Sequence, residues 1–173
     1  YIPGTKEKEN DIEHSYHLAM LSWYIATSDN LDFNREKLLM YSLVHDIVEV
    51  YAGDTFIYSP DQELHDSKND RENNARLAIE KEFPEFVELH NAITTYEKKE
   101  DKESRFVYVL DKIQPVLQIY LDNGGIWKDM NITLPMLLEK KNKKIEVSEE
   151  LLPYWKEFLV LLKENEKELF SEK

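Results

Sequence analysis

Apolar residues recur along this chain at intervals of three and four and almost nowhere alternate, which is the period of a helix rather than of a strand. Ile12, Tyr16, Ala19, Met20 and Trp23 fall on one face of a helix predicted from about Asp11 to Thr27, and that face is expected to pack inward. The stretch Leu38 to Val50 is apolar at the same spacing, in a second helix with Asn34 as its N-cap and Gly53 as its stop. Further helices are predicted near Ser67–Glu82, Pro84–Glu97, Lys102–Asn123, Leu134–Lys143 and Ser148–Phe170, with Pro115 expected to kink the one over 102–123. Four glycines (Gly4, Gly53, Gly124, Gly125) and six prolines are the only strong punctuation. The pattern is that of an all-α, single-domain helical bundle.

Two kinds of segment stand apart. The stretch from Phe56 to Asp66 has no period and contains Pro60, so it reads as an irregular loop directly after the second helix, a place where binding residues often sit. The polar runs Asp66–Arg76, Lys98–Glu103 and Glu139–Lys144 read as solvated helix faces or loops. Trp23, Tyr154 and Trp155 lie in amphipathic helices, which favours packing over a stacking platform. Leu151, Leu152, Trp155, Leu159 and Leu162 suit either a core or a subunit interface.

A chain of 173 residues fits one domain that needs no staples. With 22 basic and 35 acidic residues its net charge is -13, which disfavours a nucleic-acid polymer or an anionic membrane surface as partner. The absence of cysteine excludes disulfides and thiolate metal sites, and a cytoplasmic location is expected. No run of about 18 apolar residues occurs and no basic-then-apolar leader opens the chain, so neither a membrane span nor a signal peptide is expected.

Three ionisable groups, His45, Asp46 and Glu49, interrupt the apolar stretch of the second helix. At about 100° per residue, Asp46 lies about 100° and Glu49 about 40° from His45, so all three share one flank. An imidazole beside a carboxylate suits Mn, Fe, Co, Ni or Zn, whereas Mg and Ca prefer all-oxygen shells. The alternative is a buried His-Asp hydrogen bond that only satisfies two polar groups in the core. His65 and His90 stand apart from this cluster and read as structural or surface residues. Lys112 follows Asp111 but points about 100° away around the helix, and it too reads as structural.

Upstream lies Glu13-His14-Ser15-Tyr16-His17, and downstream Val109-Leu110-Asp111-Lys112, so the order is His, His-Asp, Asp. This order resembles the HD-domain metal-dependent phosphohydrolases. Together with His45-Asp46-Ile47-Val48-Glu49 and Ala52-Gly53-Asp54-Thr55, it is most similar to their 5'-deoxynucleotidase branch, over about residues 9–122, with C-terminal helices at about 134–170. The resemblance implies a single HD domain across 1–173 that removes the 5'-phosphate of a deoxyribonucleoside or ribonucleoside monophosphate by attack of metal-bound water. His14, His45, Asp46 and Asp111 would hold one Mn, Co, Fe or Ni ion, with Asp46 also serving in catalysis and His14 also in substrate binding. Glu49 matches the family's catalytic glutamate. Asp54 matches its substrate-contacting aspartate, with Thr55, Phe56 and Ile57 lining the same pocket; the alternative is a turn-forming Asp after Gly53. His17, one turn from His14, fits a supporting role. The family commonly forms homodimers. It also has an arginine ahead of its first His motif, and no Arg precedes His14 here; Lys6 and Lys8 carry charge without the bidentate fork. The same residues leave open an HD hydrolase of triphosphates, cyclic nucleotides or alarmones, and a non-catalytic nucleotide-sensing module.

Overall fold

Asn10 decides where the first helix begins. Its Oδ1 accepts the backbone N–H groups of Ile12 and Glu13, both at 3.0 Å, while Glu13 Oε2 accepts the Asn10 N–H at 3.0 Å. This reciprocal capping box satisfies donors that every helix start leaves open. In the computed structural model, which describes residues 9–171, α1 then spans Asp11–Ser28. It is followed by α2 (Arg35–Val44), α3 (Glu49–Ala52), α4 (Gln62–Asp66), α5 (Lys68–Glu82), α6 (Val87–Lys98), α7 (Lys102–Leu121), α8 (Gly125–Asp129), α9 (Leu134–Ile145), α10 (Leu152–Glu164) and α11 (Glu166–Leu169). The described residues contain no strand, and the all-α expectation holds. No helix among them is long and apolar enough to cross a membrane. Lys6 and Lys8 lie outside the described residues.

Two compact units divide the chain, one formed by residues 19–104 and the other by residues up to 18 together with those from 105 onward. In the 19–104 unit, Val44, Val48, Ala75, Ile79, Leu89, Ala92 and Ile93 form a buried cluster, with Met40, Ile47 and Ala52 against it. Asn34 caps α2 as expected, its Oδ1 accepting from Glu36 and Lys37. Here the predicted inward face of α1 is overturned. Ile12 is 82% exposed and Trp23 49%, and Tyr16 and Met20 are exposed as well; of the predicted face Ala19 alone is buried, together with Leu18, Ser22, Ile25 and Ala26. The period was right and the phase was not, because small residues face inward: Ser22 Oγ lies 3.4 Å from Ser42 Oγ, a close approach that a large side chain would prevent. The reading of Trp23 and Tyr154 as packed residues is corrected with it, since both are exposed while Trp155 is buried.

The predicted second helix is also interrupted. Ser42 O accepts from His45 Nδ1 at 2.9 Å, and the bonds Ile47 N to Val44 O, Glu49 N to Asp46 O and Val50 N to Ile47 O are of the tighter i to i-3 kind. Residues 45–48 are turns, so the 100° arithmetic does not apply to them. With three residues per turn, Asp46 and Glu49 lie over one another. Gly53 then ends α3 at φ 73°, a left-handed conformation that glycine tolerates. The loop after it is partly helical, since Asp61 caps α4 by accepting the Leu64 N–H.

Asp101 ties the start of α7 to α2. Its carboxylate accepts from Lys37 Nζ and Tyr41 Oη, both at 2.8 Å, and from the Ser104 N–H at 2.8 Å. Burial alone would raise this carboxyl; the Lys37 ammonium, the Ser104 donors and the Tyr41 hydroxyl outweigh it and hold the pKa at about 2. A depressed carboxylate stabilises the fold above its unfolded pKa near 4 and stops doing so as pH falls through about 2. Asp101→Asn is therefore expected to cost about 1–2 kcal/mol at pH 7, after allowing for the partial exposure of Lys37, and almost nothing at pH 2. Urea unfolding at the two pH values tests this; an equal loss at both would refute it.

In the other unit, Trp127 stacks on Phe170 with centroids 4.5 Å apart, Phe158 meets the edges of Tyr120 and Trp155, and Trp155 Nε1 donates to Asn142 Oδ1 at 3.1 Å. Helix α7 runs through Pro115. It gives way at Gly124, whose φ of 76° is left-handed and where an added Cβ would overlap the Leu169 carbonyl. Sequence periodicity had merged the C-terminal helices. Asn165 separates them, its side-chain amide donating to Leu161 O at 2.8 Å.

Candidate functional site

The residues singled out by sequence fall into two groups, one in each unit. In the first, α1 supplies His14 and α7 supplies Asp111. His14 Nε2 lies 3.1 Å from Asp111 Oδ1, while its Nδ1 lies 3.2 Å from Glu9 Oε2. In the second, His45 Nε2 lies 2.9 Å from Asp46 Oδ2, while its Nδ1 donates to Ser42 O. His45 and Asp111 are buried, and His14 and Asp46 half-buried.

The same device thus occurs twice. An oxygen atom faces Nδ1, so the ring proton sits there and Nε2 carries a lone pair. That lone pair faces a carboxylate oxygen about 3 Å away, and two acceptors at that range repel unless a cation lies between them. A second proton on the ring would serve. A divalent ion would serve as well, and one imidazole with one carboxylate per pair is a donor set that fits a transition metal.

Glu49, first residue of α3, is half-buried. Burial, and then the negative charge of Asp46, push its pKa up to about 7, against the pull of Lys68. That ammonium lies 3.5 Å from Glu49 and 3.1 Å from Glu72. Asp54 is exposed at the entry of the loop, Phe56 is exposed with its ring edge-on to Tyr58, and Ile57 is half-buried. Thr55 is buried, its hydroxyl accepting from Arg71 Nη2 at 2.6 Å.

Arg71 holds this turn together. Besides Thr55 it donates to Ala52 O, to Gly53 O and Leu64 O, both at 3.1 Å, and to Ser67 Oγ. The solvated reading of the run Asp66–Arg76 is corrected by Arg71 and Lys68. A signal was available: Arg71 precedes the buried Ala75 and Ile79 at four-residue steps, which puts it on the inward face of α5. Lys112, although its position lies about 100° further around the helix, places Nζ 2.6 Å from Asp111 Oδ2, an ion pair consistent with the structural reading. Glu13 belongs to the capping box of α1. His65 and His90 bond Ser59 O and Phe83 O, as structural residues do.

Glu9 was missed. Its Oε1 lies 2.6 Å from His17 Nδ1 and accepts from Gln118 Nε2 at 2.9 Å. Burial would raise this carboxyl, but Gln118, His17 and His14 together hold it below the ordinary range.

A model of the HD domain matches residues 2–158. The chain belongs to the HD-domain family. Among its relatives, this HD domain is 31% identical over 117 residues to 5'-deoxynucleotidase HDDC2 of Homo sapiens (66% of this chain, 55% of the relative) and 30% identical over 117 residues to the Mus musculus protein of the same name (66% and 56%). The chain spans little more than half the length of these curated relatives. Among solved structures, it superposes with TM-score 0.78 and 28% identity on a protein described as a predicted metal-dependent phosphohydrolase from Magnetospirillum magnetotacticum, covering 98% of this chain and 85% of that one.

Proposed function

We propose that this HD domain hydrolyses the 5'-phosphate of deoxyribonucleoside monophosphates with one divalent transition-metal ion held by His14, His45, Asp46 and Asp111. The observation that carries the reading is the repeated arrangement described above, an imidazole with Nδ1 engaged and Nε2 facing a carboxylate oxygen in each unit. Its relatives named 5'-deoxynucleotidase and its structural neighbour described as a phosphohydrolase support it.

When bound, the ion supplies positive charge against phosphoryl oxygens and acidifies water. The protein residues do the rest. Glu49, with its pKa near neutrality, can take a proton from water or return one to the leaving 5'-oxygen. Asp54 offers an exposed acceptor for a sugar hydroxyl from a turn that Arg71 keeps in place, and Phe56 offers an apolar face for a base. Lys68 adds a cation beside Glu49, which also feels the carboxylates of Asp46, Asp54 and Glu72.

The test is phosphate release from a panel of deoxyribonucleoside and ribonucleoside 5'-monophosphates, after chelation and again after adding Mn or Co. Release restored by the metal and greatest with the deoxy substrates is expected. Release that survives chelation, or turnover confined to triphosphates or cyclic nucleotides, refutes the reading.

A further inference from the structure

We propose that Glu9 is a positioning residue for the metal centre, fixing which nitrogen of His14 ligates. The inference rests on the metal reading above. A carboxylate only accepts, so Glu9 Oε2, 3.2 Å from His14 Nδ1, places the ring proton on Nδ1. The lone pair is then on Nε2, the atom 3.1 Å from Asp111 Oδ1. Gln114 reaches the same Nδ1 at 3.2 Å through its amide. With the amide turned about, its buried and otherwise partnerless Oε1 accepts from that N–H as well.

Glu9 is itself held. Its side chain is only 9% exposed, so protein groups rather than water must meet its charge. His17 does so at 2.6 Å and Gln118 at 2.9 Å, both on Oε1, which leaves Oε2 for His14. This gives His17 a task as well: it sits one turn beyond His14 on α1 and braces the carboxylate rather than a ligand position. The equivalent partner of His45 is the Ser42 carbonyl, held by the backbone of α2. An anion in that place does more than a carbonyl, because it also raises the basicity of the imidazole it orients.

The experiment is Mn(II) and Co(II) binding to the full chain by titration calorimetry, with the visible spectrum of bound Co(II) as a second readout. Five proteins are compared: wild type, His14→Ala, Glu9→Gln, Glu9→Met and, as a control, Glu13→Gln, which keeps an acceptor for the capping box of α1. Glu9→Met, which has no acceptor, is expected to weaken binding up to about a hundredfold and Glu9→Gln, which keeps one without the charge, about tenfold, both with altered Co(II) spectra. Glu13→Gln should bind like wild type. If His14→Ala loses the ion while both Glu9 variants match wild type in affinity and spectrum, the role given to Glu9 is wrong and the metal reading stands. If wild type binds no ion, or His14→Ala binds as well as wild type, the metal reading falls and the role of Glu9 with it. Should Glu9→Met fail to fold, Glu9→Gln decides alone: affinity within twofold of wild type overturns the proposal, and a tenfold loss supports it.

Discussion

Asp46→Ala is expected to lose both tight metal binding and phosphate release. Asp46 offers the oxygen 2.9 Å from His45 Nε2 and the negative charge that makes that position attractive to a cation. Without it, His45 keeps its proton on Nδ1 through Ser42 O and presents a lone pair with no anion opposite. Metal assistance is worth several kcal/mol in such reactions, so a fall of roughly a thousandfold or more in kcat/KM is expected. Asp46→Asn, which keeps the shape and removes the charge, should fall nearly as far. Near-normal turnover in either variant, with calorimetry showing an unchanged metal Kd, would exclude Asp46 as a ligand.

Glu49→Gln should separate chemistry from binding. It is expected to keep the metal and lose about 10²–10⁴ in kcat, the usual worth of a positioned proton carrier. The acidic limb of the pH profile should go with it. In the folded protein, burial and Asp46 hold Glu49 near 7, so its basic form is populated only above that, and a bound cation beside Asp46 moves the limb to lower pH. Stability moves the other way. A carboxyl whose folded pKa exceeds its unfolded value favours the fold most at low pH and loses that contribution as pH rises through about 7. The neutral amide should therefore melt above wild type at pH 8 while turning over far more slowly. A glutamine variant with lower stability and an intact acidic limb would mean that Glu49 is a structural residue.

What the sequence made legible follows from what short-range physics controls. Helix positions came from the 3.6 period, the start of α2 from the capping chemistry of Asn34, and the end of α3 from Gly53. His14, His45, Asp46 and Asp111 were singled out by resemblance to the HD family, and their pairing as His14–Asp111 and His45–Asp46 is seen in the structure. Other features depended on groups distant in sequence. The buried face of α1 is Leu18, Ser22, Ile25 and Ala26, and its small residues carry less apolar weight than the exposed Ile12, Tyr16, Met20 and Trp23. The break after Val44 came from a side chain, His45, capturing a backbone carbonyl. Arg71 looked like part of a polar run until its five acceptors were brought around it by the fold, and Glu9 gained meaning only when Gln118 and His14 met it.

The capping box at the start of α1 acts as a phase gauge. Asn10 and Glu13 define the first turn, so the interval from Asn10 to His14 sets the angle at which the imidazole leaves the helix. One residue inserted or deleted in that interval would swing the ring by about 100° and shift it about 1.5 Å along the axis, away from both Glu9 and Asp111. Substitutions in this stretch can be absorbed wherever a cap survives, whereas a change of length cannot. In this protein the number of residues between Asn10 and His14 carries as much information as their identity.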